Sequence, residues 1–491
     1  MPIFTVGAAG TSTSAYAVDN SLRFSEDSGD YLRNPASGAA VAAERKTLTF
    51  SLWVKRAKLG SASSTQYMIC GIEGTGNYYS ALMFNSTDQL RFFHNESGTT
   101  RCDLKTNRVF RDPSAWYHIV LAIDTTQGTD SNRVKIYVNG VQETSFATET
   151  YYSSNFNTYF GMTNDTDGYP TYIGSNASSD HFDGYMAEVV GVGGSQLAAS
   201  DFAESDSDTG IWKPKDLSDL SYGSGVAGNF LLQFQTSGTL GDDTSGNNND
   251  FTVTNLTSGD QTTDTPTNNY CTINPLDNYY TGATISEGNL KVVSTNSNRG
   301  WNIGTIGVSQ GKWYWEIKYV ASGGSTPSDK WNHIGIADRG AESSTDILGE
   351  SNYQYSVFES DGKVYASSSS GTTYGAAFST GDIVQVALDL DNDNVYFGLN
   401  GQWGNGSGSW NQASPSSAVS IQAPSGTLNG DYFPAIGDGG VNVAKTWEAN
   451  FGNPTFSISS SNSDGNSYGN FEYAVPSGYY ALNTKNLAEF G

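Results

Sequence analysis

The stretch that decides the fold is GKWYWEIKY, residues 311–319. Large apolar side chains take every second position and charged ones take most of the rest, with Trp313, Trp315, Ile317 and Tyr319 set against Lys312, Glu316 and Lys318. A period of two predicts a β-strand with one face on a core. Further on, residues 383–390 and 395–399 form two apolar runs on either side of the polar tetrapeptide 391–394, which predicts a hairpin.

The first half of the chain repeats this period. Residues 48–54 alternate, which predicts a strand with one buried face. Residues 116–123 are apolar on both faces, as in a central strand of a sandwich. Residues 134–138 run into Asn139-Gly140, the strongest short hairpin signal. The only helix predicted is a short one at 197–203. The sequence therefore predicts an all-β protein with two antiparallel β-sandwich (jelly-roll) modules in tandem.

Length and composition set the domain plan. A chain of 491 residues is long enough for two or three domains. We divide it by composition into an N-terminal arm, a first sandwich, a linker, a second sandwich and a C-terminal tail: 1–20, 21–260, 261–284, 285–456 and 457–491. Two interpretations of the arm stay open, a tail without fixed contacts or a docking strand for a neighbouring subunit.

Charge and cysteine content exclude several classes of protein. The net charge of −25 repels the phosphates of nucleic acid. The N-terminus has no basic region followed by an apolar stretch, so we expect neither a signal peptide nor membrane insertion. Three cysteines without a C-x-x-C pair exclude a disulfide scaffold and a cysteine-rich zinc site.

Four segments of the first half resemble the laminin-G-like, concanavalin-type jelly roll. They are TLTFSLWV at 47–54, WYHIV at 116–120, KIYVNG at 135–140 and FDGYMAE at 182–188. Their order and spacing match that family over about residues 20–200. The resemblance implies a two-sheet sandwich, and the fold also hosts glycoside hydrolases.

Five segments of the second half resemble a SPRY domain over about residues 285–455. They are GKWYWE at 311–316, HIGIA at 333–337, VYFGLNG at 395–401, YFPA at 432–435 and WEANFG at 447–452. Between the two regions, DTPTNNY at 264–270 with NPL at 274–276 looks like linkers that join these modules in bacteriophage virion proteins. That resemblance implies a phage structural protein.

Catalytic patterns are absent from the sequence. Glycoside hydrolysis needs two carboxylates that flank the bond, yet no Glu-x-Asp-x-x-Glu run occurs. Glu188 and Glu316 have no carboxylate two residues away, and we expect each to be ion-paired or exposed. None of the four histidines belongs to a metal-binding pattern, and we expect His118 to be a packed, hydrogen-bonded imidazole. We therefore predict a protein that is not an enzyme.

Candidate ligand sites are few. Asp165 and Asp167 lie in an oxygen-rich loop that begins like a calcium-binding loop but lacks its glutamate at position twelve, so an ordinary Asx turn is the alternative. Calcium is the one cofactor considered. Four aromatic residues near the Gly-rich loop 404–409 are candidates for a sugar or partner surface: Tyr353, Tyr374, Trp403 and Trp410. The alternative is that the tryptophans cap the core.

These observations favour a non-enzymatic virion protein of the tail-fibre or spike type, which uses loops to bind host surface glycan or neighbouring virion proteins. A capsid decoration or head-fibre protein is the alternative, and a polysaccharide-degrading enzyme is a third hypothesis. Expected partners are other virion proteins and sister subunits, as a homotrimer if it is a fibre. The expected location is the virion, after assembly in the host cytoplasm.

Overall fold

The computed structural model describes residues 16–34, 45–60, 65–72, 78–158, 170–176, 180–222, 229–278, 282–295, 299–322, 330–339, 347–440 and 443–491. These residues fall into two compact units. We call residues 16–267 the N-terminal module and residues 268–491 the C-terminal module. Both consist mainly of antiparallel strands, which confirms the predicted all-β class.

The N-terminal module has two large sheets. Its strands are β1 Ser21–Phe24, β2 Tyr31–Arg33, β3 Thr47–Arg56, β4 Gln66–Ile72, β5 Tyr78–Phe84, β6 Gln89–Glu96, β7 Thr99–Val109, β8 Trp116–Asp124, β9 Val134–Val138, β10 Val141–Gln142, β11 Phe146–Thr150, β12 Thr171–Ile173, β13 Gly184–Gly193, β14 Ala203–Ser205, β15 Trp212–Pro214, β16 Phe230–Leu232, β17 Thr252–Thr254 and β18 Gln261–Thr262. One eight-stranded sheet follows the order β10-β9-β8-β3-β13-β1-β18 with β16 beside β13, and the other follows β11-β7-β6-β5-β4-β12-β2-β17. β14 and β15 form a separate hairpin.

The core of the N-terminal module lies between these sheets. Leu52, Ile119 and Met186 from the first sheet and Leu82 and Phe92 from the second are fully buried in one apolar cluster. Removing such side chains from water is the main favourable term in folding. The sandwich is therefore held by the period-two apolar positions of the sequence.

Strand β3 differs from the prediction of one buried face. It lies between β8 and β13 in the sheet and is buried on both faces. On the outer face, Trp53 packs in a small cluster with Val18, Ala187 and Ala203. The polar–apolar alternation could not reveal this second layer, because Trp53 and Lys55 are covered by distant parts of the chain.

The C-terminal module is a second sandwich. Its strands are β19 Ile273–Asn278, β20 Thr284–Ser286, β21 Lys291–Val293, β22 Gly300–Gly304, β23 Lys312–Ser322, β24 Asn332–Ala337, β25 Gln354–Phe358, β26 Val364–Ala366, β27 Ile383–Asp389, β28 Asn394–Leu399, β29 Gln402–Gly404, β30 Trp410–Gln412, β31 Val419–Ser420, β32 Phe433–Asp438, β33 Lys445–Asn450 and β34 Tyr480–Ala481, and its helix is α1 Thr484–Phe490. The six-stranded sheet follows β19-β22-β32-β24-β25-β26. The ten-stranded sheet follows β20-β21-β33-β23-β27-β28-β29-β30, with β31 beside β28 and β34 beside β23.

Strand β23 is the centre of the C-terminal module. Trp313, Trp315 and Ile317 pack into the core opposite Ile334 and Ile336 of the other sheet. β23 pairs antiparallel with both β27 and β33. The predicted alternation along 311–319 is confirmed on this inner face.

The segment predicted as a C-terminal tail is instead part of the C-terminal module. β34 pairs in parallel with Trp313 and Tyr314 of β23. Phe471, Tyr479 and Ala481 pack with Tyr314 and Trp403 in a cluster of their own. The chain after 456 thus adds a third layer on the outer face of the ten-stranded sheet. Composition alone had indicated a loop, because this segment is rich in Ser and Asn.

The described residues of the segment predicted as a linker, 261–278 and 282–284, also belong to the two modules. In the N-terminal module, Asp264 is fully buried, where it accepts from the indole N–H of Trp116 at 3.1 Å and pairs with Lys55 at 2.7 Å. In the C-terminal module, Tyr270 is buried and β19 pairs with β22. The first and last residues of the DTPTNNY motif, Asp264 and Tyr270, are therefore buried structural residues.

Both predicted hairpins form. Asn139 and Gly140 have φ of 49° and 81°, the left-handed values that a tight type I′ turn requires, and they join β9 to β10. Asp393, with φ of 54°, lies in the turn between β27 and β28. The helix predicted at 197–203 is reduced to one 3₁₀ turn at Ala199–Asp201, followed directly by strand β14.

Candidate functional site

Glu316, the glutamate of the decisive strand, is buried and neither ion-paired nor exposed as expected. Its Oε1 accepts from the Tyr314 hydroxyl at 2.9 Å and the backbone N–H of Tyr473 at 2.8 Å. Its Oε2 accepts from Asn450 Nδ2 at 3.1 Å and the backbone N–H of Glu472 at 3.0 Å. Burial raises the pKa of Glu316 to about 7. The carboxylate fastens the C-terminal segment to the sheet.

Glu188 of the N-terminal module is likewise buried, at 3% exposure. The hydroxyl of Tyr16 donates to its Oε1 at 2.6 Å and Gln233 Nε2 donates to the same atom at 3.0 Å. Its φ of 48° is left-handed and coincides with a register shift between β13 and β3. Burial, and then the charge of Asp216, raises the pKa of Glu188. The expectation of an exposed or ion-paired side chain was wrong here too.

The geometry of these glutamates does not favour sugar hydrolysis. A glycosidase needs two carboxyl groups on either side of an accessible bond. Glu316 lies beneath residues 472–473 and Glu188 lies beneath Tyr16. Each side chain accepts hydrogen bonds from protein groups in place of facing a cleft.

His118 is a packed, hydrogen-bonded imidazole, as predicted. The indole N–H of Trp212 donates to its Nδ1 at 3.0 Å, so the ring carries its proton on Nε2, which lies 2.8 Å from Ser51 Oγ. The ring stacks on Trp53 with centroids 4.8 Å apart. Burial lowers the pKa of His118 to about 3. The ring stays neutral at physiological pH.

His94 and His333 are buried in the same way. His94 Nδ1 lies 2.9 Å from Ser80 Oγ and 2.7 Å from the Tyr152 hydroxyl. His333 stacks on Phe358 with centroids 4.5 Å apart. Burial lowers the pKa of each to about 3. Both imidazoles are therefore neutral and weakly basic near neutral pH.

The predicted aromatic surface is only partly assembled. The structure brings together Tyr374 and Trp410, whose ring centroids are 5.9 Å apart. Tyr374 is 4% exposed and its hydroxyl donates to the Ser417 carbonyl at 2.9 Å. The half-buried Trp410 donates its indole N–H to the Ala376 carbonyl at 2.8 Å. This arrangement matches the alternative in which Trp410 caps the core.

Trp403 and Tyr353 lie apart from that pair. Trp403 is 3% exposed and belongs to the outer-face cluster with Tyr314 and Phe471. Tyr353, with a left-handed φ of 63°, is partly buried against the inner core. The four candidates therefore do not form one exposed platform. Glycines permit the close packing, since a Cβ on Gly404 would lie 2.2 Å from the Tyr374 ring.

The predicted calcium ligands, Asp165 and Asp167, lie outside the described residues. Within the described ranges no group of three His, Cys, Asp or Glu side chains is placed to hold a metal ion. The hairpin tip at 391–394 is an Asx-type turn, in which Asn392 donates its backbone N–H and its side-chain amide to Asp389 at 3.2 and 2.9 Å. No helix in the part of the chain that the structure describes could span a bilayer.

One cavity of the C-terminal module was missed by the sequence analysis. It has a volume of about 450 Å³ and is lined by residues that include Lys312, Asp391, Tyr480 and Phe490. These come from the start of β23, the hairpin tip and the C-terminal segment. The sequence held no signal for it, because Gly478, Tyr480 and Phe490 lie in the segment predicted as a tail.

Comparisons with known proteins divide the chain as its fold does. Residues 26–191 match the concanavalin A-like lectin/glucanases superfamily in its laminin G form. Residues 312–417 match the SPRY domain. The chain carries a laminin G-like, concanavalin-type domain followed by a SPRY domain. Both predicted resemblances are confirmed at the level of the domains.

Each individual relative or solved structure matches only part of this chain. Ran-binding protein 9 of Danio rerio is 29% identical over 91 residues, which are 18% of this chain and 14% of that protein. The SPRY domain of human HERC1 is 13% identical, with 36% of this chain and 96% of that chain covered and a TM-score of 0.28. A heptameric SAP-like pentraxin from Limulus polyphemus is 13% identical, with 37% and 79% covered and a TM-score of 0.27.

Proposed function

We propose that this chain is a non-enzymatic structural and adhesion protein of a bacteriophage particle, of the tail-fibre or spike type. It binds host surface glycan or neighbouring virion proteins through its two sandwich modules. The observation that carries the proposal is the state of the two strand glutamates, Glu188 and Glu316. Both are buried under other parts of their own module and hold structure together.

A binding role is supported by the rigidity of the scaffold. Each module has a closed apolar core, and its loops connect strands that are fixed by long antiparallel ladders. Loops on such a scaffold present side chains without moving them. Many copies on one particle convert weak contacts into strong attachment, and a trimer is the expected state for a fibre.

The phage assignment rests on residues 264–270 and their surroundings. This segment resembles linkers that join the same two kinds of module in virion proteins. In the N-terminal module, Asp264 from this segment is bonded to Lys55 and Trp116, so its identity is fixed by buried contacts. The net charge of −25 agrees with partners that are proteins or neutral glycans and not nucleic acid.

The decisive experiment incubates the purified chain with capsule or envelope glycans of the host. We expect binding without release of reducing sugar. Sugar release by the wild type that Glu188→Gln or Glu316→Gln abolishes would establish a hydrolase and overturn the proposal. Binding to empty heads without glycan binding would identify a capsid decoration protein. Electron microscopy of intact particles then gives the location on the virion.

We propose that binding needs no cofactor, with calcium as the one candidate ion. Calorimetric titration of the chelator-treated chain with calcium is expected to show no saturable heat. A saturable signal that Asp165→Asn and Asp167→Asn remove would instead establish the loop at 164–168 as a calcium site. The matched control is Asp391→Asn, at a hairpin tip whose turn forms with protein hydrogen bonds alone.

A further inference from the structure

The open cavity at the C-terminal segment is large enough for a small ligand. Its volume of about 450 Å³ lies within the roughly 300–1,000 Å³ of small-molecule sites. It is open to solvent and lined by the start of β23, by the hairpin tip and by residues 478–490. Lys312 and Asp391 lie within the residues that match the SPRY domain, while Tyr480 and Phe490 lie beyond them.

One wall of the cavity is aromatic. The rings of Tyr480 and Phe490 are stacked, with centroids 3.7 Å apart and planes 12° apart. Both side chains are partly exposed. A stacked pair is held rigidly, and a ring face or edge beside polar groups suits a ligand that is apolar on one side.

The opposite wall is polar and fixed in position. Lys312 Nζ is held 2.9 Å from Asp389 Oδ2 and remains partly exposed. Asp391 is exposed, and its Oδ1 accepts the Gly311 N–H at 3.0 Å. Gln310 Nε2 donates to the Gly491 carbonyl at 2.6 Å, which ties this wall to the end of α1. Groups held in this way lose little conformational entropy when a ligand binds.

The charge of the cavity selects among ligands. Among the lining residues, Lys312 contributes one positive charge and Asp391 one negative charge. The buried Asp389, which does not line the cavity but pairs with Lys312, adds a second negative charge beside it. A net negative site disfavours phosphate or a carboxylated sugar. The aromatic wall and the mixed donors and acceptors match a neutral compound with a C–H face and several hydroxyl groups. A pyranose has this chemistry.

We propose that this cavity binds a neutral sugar residue of a glycan, and this inference rests on the glycan-binding function proposed above. The hydroxyl groups meet Lys312, Asp391 and Gln310, while the C–H face lies on the wall formed by Tyr480 and Phe490. Gly311 makes the site possible. A Cβ at Gly311 would lie 2.6 Å from the carbonyl oxygen of Phe490, so the close approach of α1 requires glycine here.

The test uses saturation-transfer-difference NMR on the full chain. The probes are the methyl glycosides of glucose, galactose and mannose, with sialic acid as the anionic comparison. We expect at least one neutral glycoside to bind and sialic acid to bind more weakly. Lys312→Met, Asp391→Asn and Phe490→Leu are each expected to weaken that binding about tenfold, because each removes one contact.

Matched controls isolate the site. Lys363→Met and Asp361→Asn alter another partly exposed ion pair of the same module, with 2.8 Å between its charged atoms, and are expected to leave binding unchanged. Asp391→Asn keeps an acceptor for Gly311, so its unfolding temperature should equal that of the wild type. This variant therefore reports on binding even if Phe490→Leu loosens the segment.

Three results would overturn the inference. Neutral glycosides that bind equally to wild type and to all three cavity variants place the sugar site elsewhere, while the proposed glycan-binding function stands. Tighter binding of sialic acid contradicts the charge argument. Failure of every glycoside rejects the site, and only if the chain also fails to bind host glycans does the proposed function fall with it.

Discussion

The two modules each bury a glutamate on a central strand, yet the two carboxylates accept hydrogen bonds from different kinds of donor. Glu316 sits on the regular strand β23 and uses both oxygens, with two of its four donors belonging to the backbone at 472–473. Glu188 sits in a left-handed bulge and uses one oxygen for two side chains, Tyr16 and Gln233. Glu316 thus contacts the main chain of the C-terminal segment, whereas Glu188 contacts the N-terminal residues through the side chain of Tyr16.

The difference matters because every substitution except proline keeps the backbone N–H donor. The attachment at Glu316 tolerates sequence change in residues 472–473, while the attachment at Glu188 depends on Tyr16. Both modules also contain one buried Lys–Asp pair, Lys55 with Asp264 and Lys445 with Asp438, each almost fully inaccessible to solvent. These shared and contrasting features can be tested in pairs.

The largest effect is expected at the buried ion pairs. Lys445→Met leaves Asp438 buried without its cation and should cost about 4 kcal/mol of unfolding free energy in the C-terminal module, and Lys55→Met should do the same in the N-terminal module. Hydrogen exchange read by mass spectrometry reports each module separately. A loss below about 1 kcal/mol, as at surface pairs, would contradict the burial of these charges.

The next effect compares the two glutamates. Glu316→Ala leaves buried N–H groups of residues 472–473 without an acceptor and should cost about 3 kcal/mol. It should also make residues 457–491 sensitive to limited proteolysis. Substitution of the exposed Glu489 by alanine is the control and should leave the proteolysis rate unchanged. An unaltered cleavage pattern in Glu316→Ala would show that the aromatic cluster alone holds the segment.

Backbone strain at Glu188 predicts an inverted order of substitutions. Glycine usually destabilises a strand more than alanine does. At a φ of 48° the left-handed conformation penalises alanine, so Glu188→Gly should be more stable than Glu188→Ala by about 1 kcal/mol. Urea unfolding of the two variants measures this difference. The usual order, with alanine ahead, would argue against the bulge.

The pH dependence of the two modules should have opposite signs at two residues. His118 has a pKa lowered to about 3, so the folded state binds fewer protons than the unfolded state between pH 3 and 6.5. Its contribution is full above pH 6.5 and is lost as the pH falls. Wild type should lose about 2 kcal/mol relative to His118→Gln between pH 7 and 5.

Glu316 behaves in the reverse sense. Its pKa is raised to about 7, so the folded state binds more protons between about pH 4.5 and 7. Its contribution is full at low pH and is lost as the pH rises through 7. Wild type should therefore lose about 2 kcal/mol relative to Glu316→Gln between pH 5 and 7. Parallel slopes for the two residues would show that burial does not set their protonation.

The smallest effect separates packing from binding at Trp410. Trp410→Phe removes the 2.8 Å hydrogen bond to the Ala376 carbonyl and should cost about 1 kcal/mol. Glycan binding should not change, because Trp410 does not line the cavity. Loss of binding in a folded variant would restore Trp410 as a contact residue.

The strands and turns of the core could be predicted because they depend on local pattern. Residues 311–319 alternate, and Trp313 and Trp315 point to the core. Asn139-Gly140 forms the turn that its residues favour. Such signals lie within a few positions of one another, so a single sequence contains them.

What covers the second face of a strand could not be predicted. Glu316 looked like a solvent-exposed residue because three of its four donors lie more than 130 positions away. Asp464 looked like part of a polar loop, yet it is buried and accepts hydrogen bonds from the N–H groups of Asn466, Tyr468 and Ala481 and from the side chain of Asn486. The sequence cannot distinguish a polar residue that accepts hydrogen bonds inside the protein from the same residue in a solvent-exposed linker.

The predicted aromatic surface and the cavity proposed above have no residue in common. Tyr374 and Trp403 are buried, while Tyr480 and Phe490 line the cavity. The ring of Trp410 packs closely against Gly375, and the ring of Tyr374 packs closely against Gly404. A glycine-rich loop suggests backbone flexibility in the sequence, but these glycines leave the space that an aromatic ring occupies.

Residues 457–491 cover the outer face of the ten-stranded sheet, and this limits where the protein can be truncated. A shortened protein that stops at residue 456, where the resemblance to a SPRY domain ends, would expose the side chains of Tyr314 and Trp403 to solvent. The exposed aromatic surface would favour aggregation. A clone of 268–491 keeps that cover. A gene rearrangement that transfers this module must therefore carry the codons for residues 457–491 along with the sandwich.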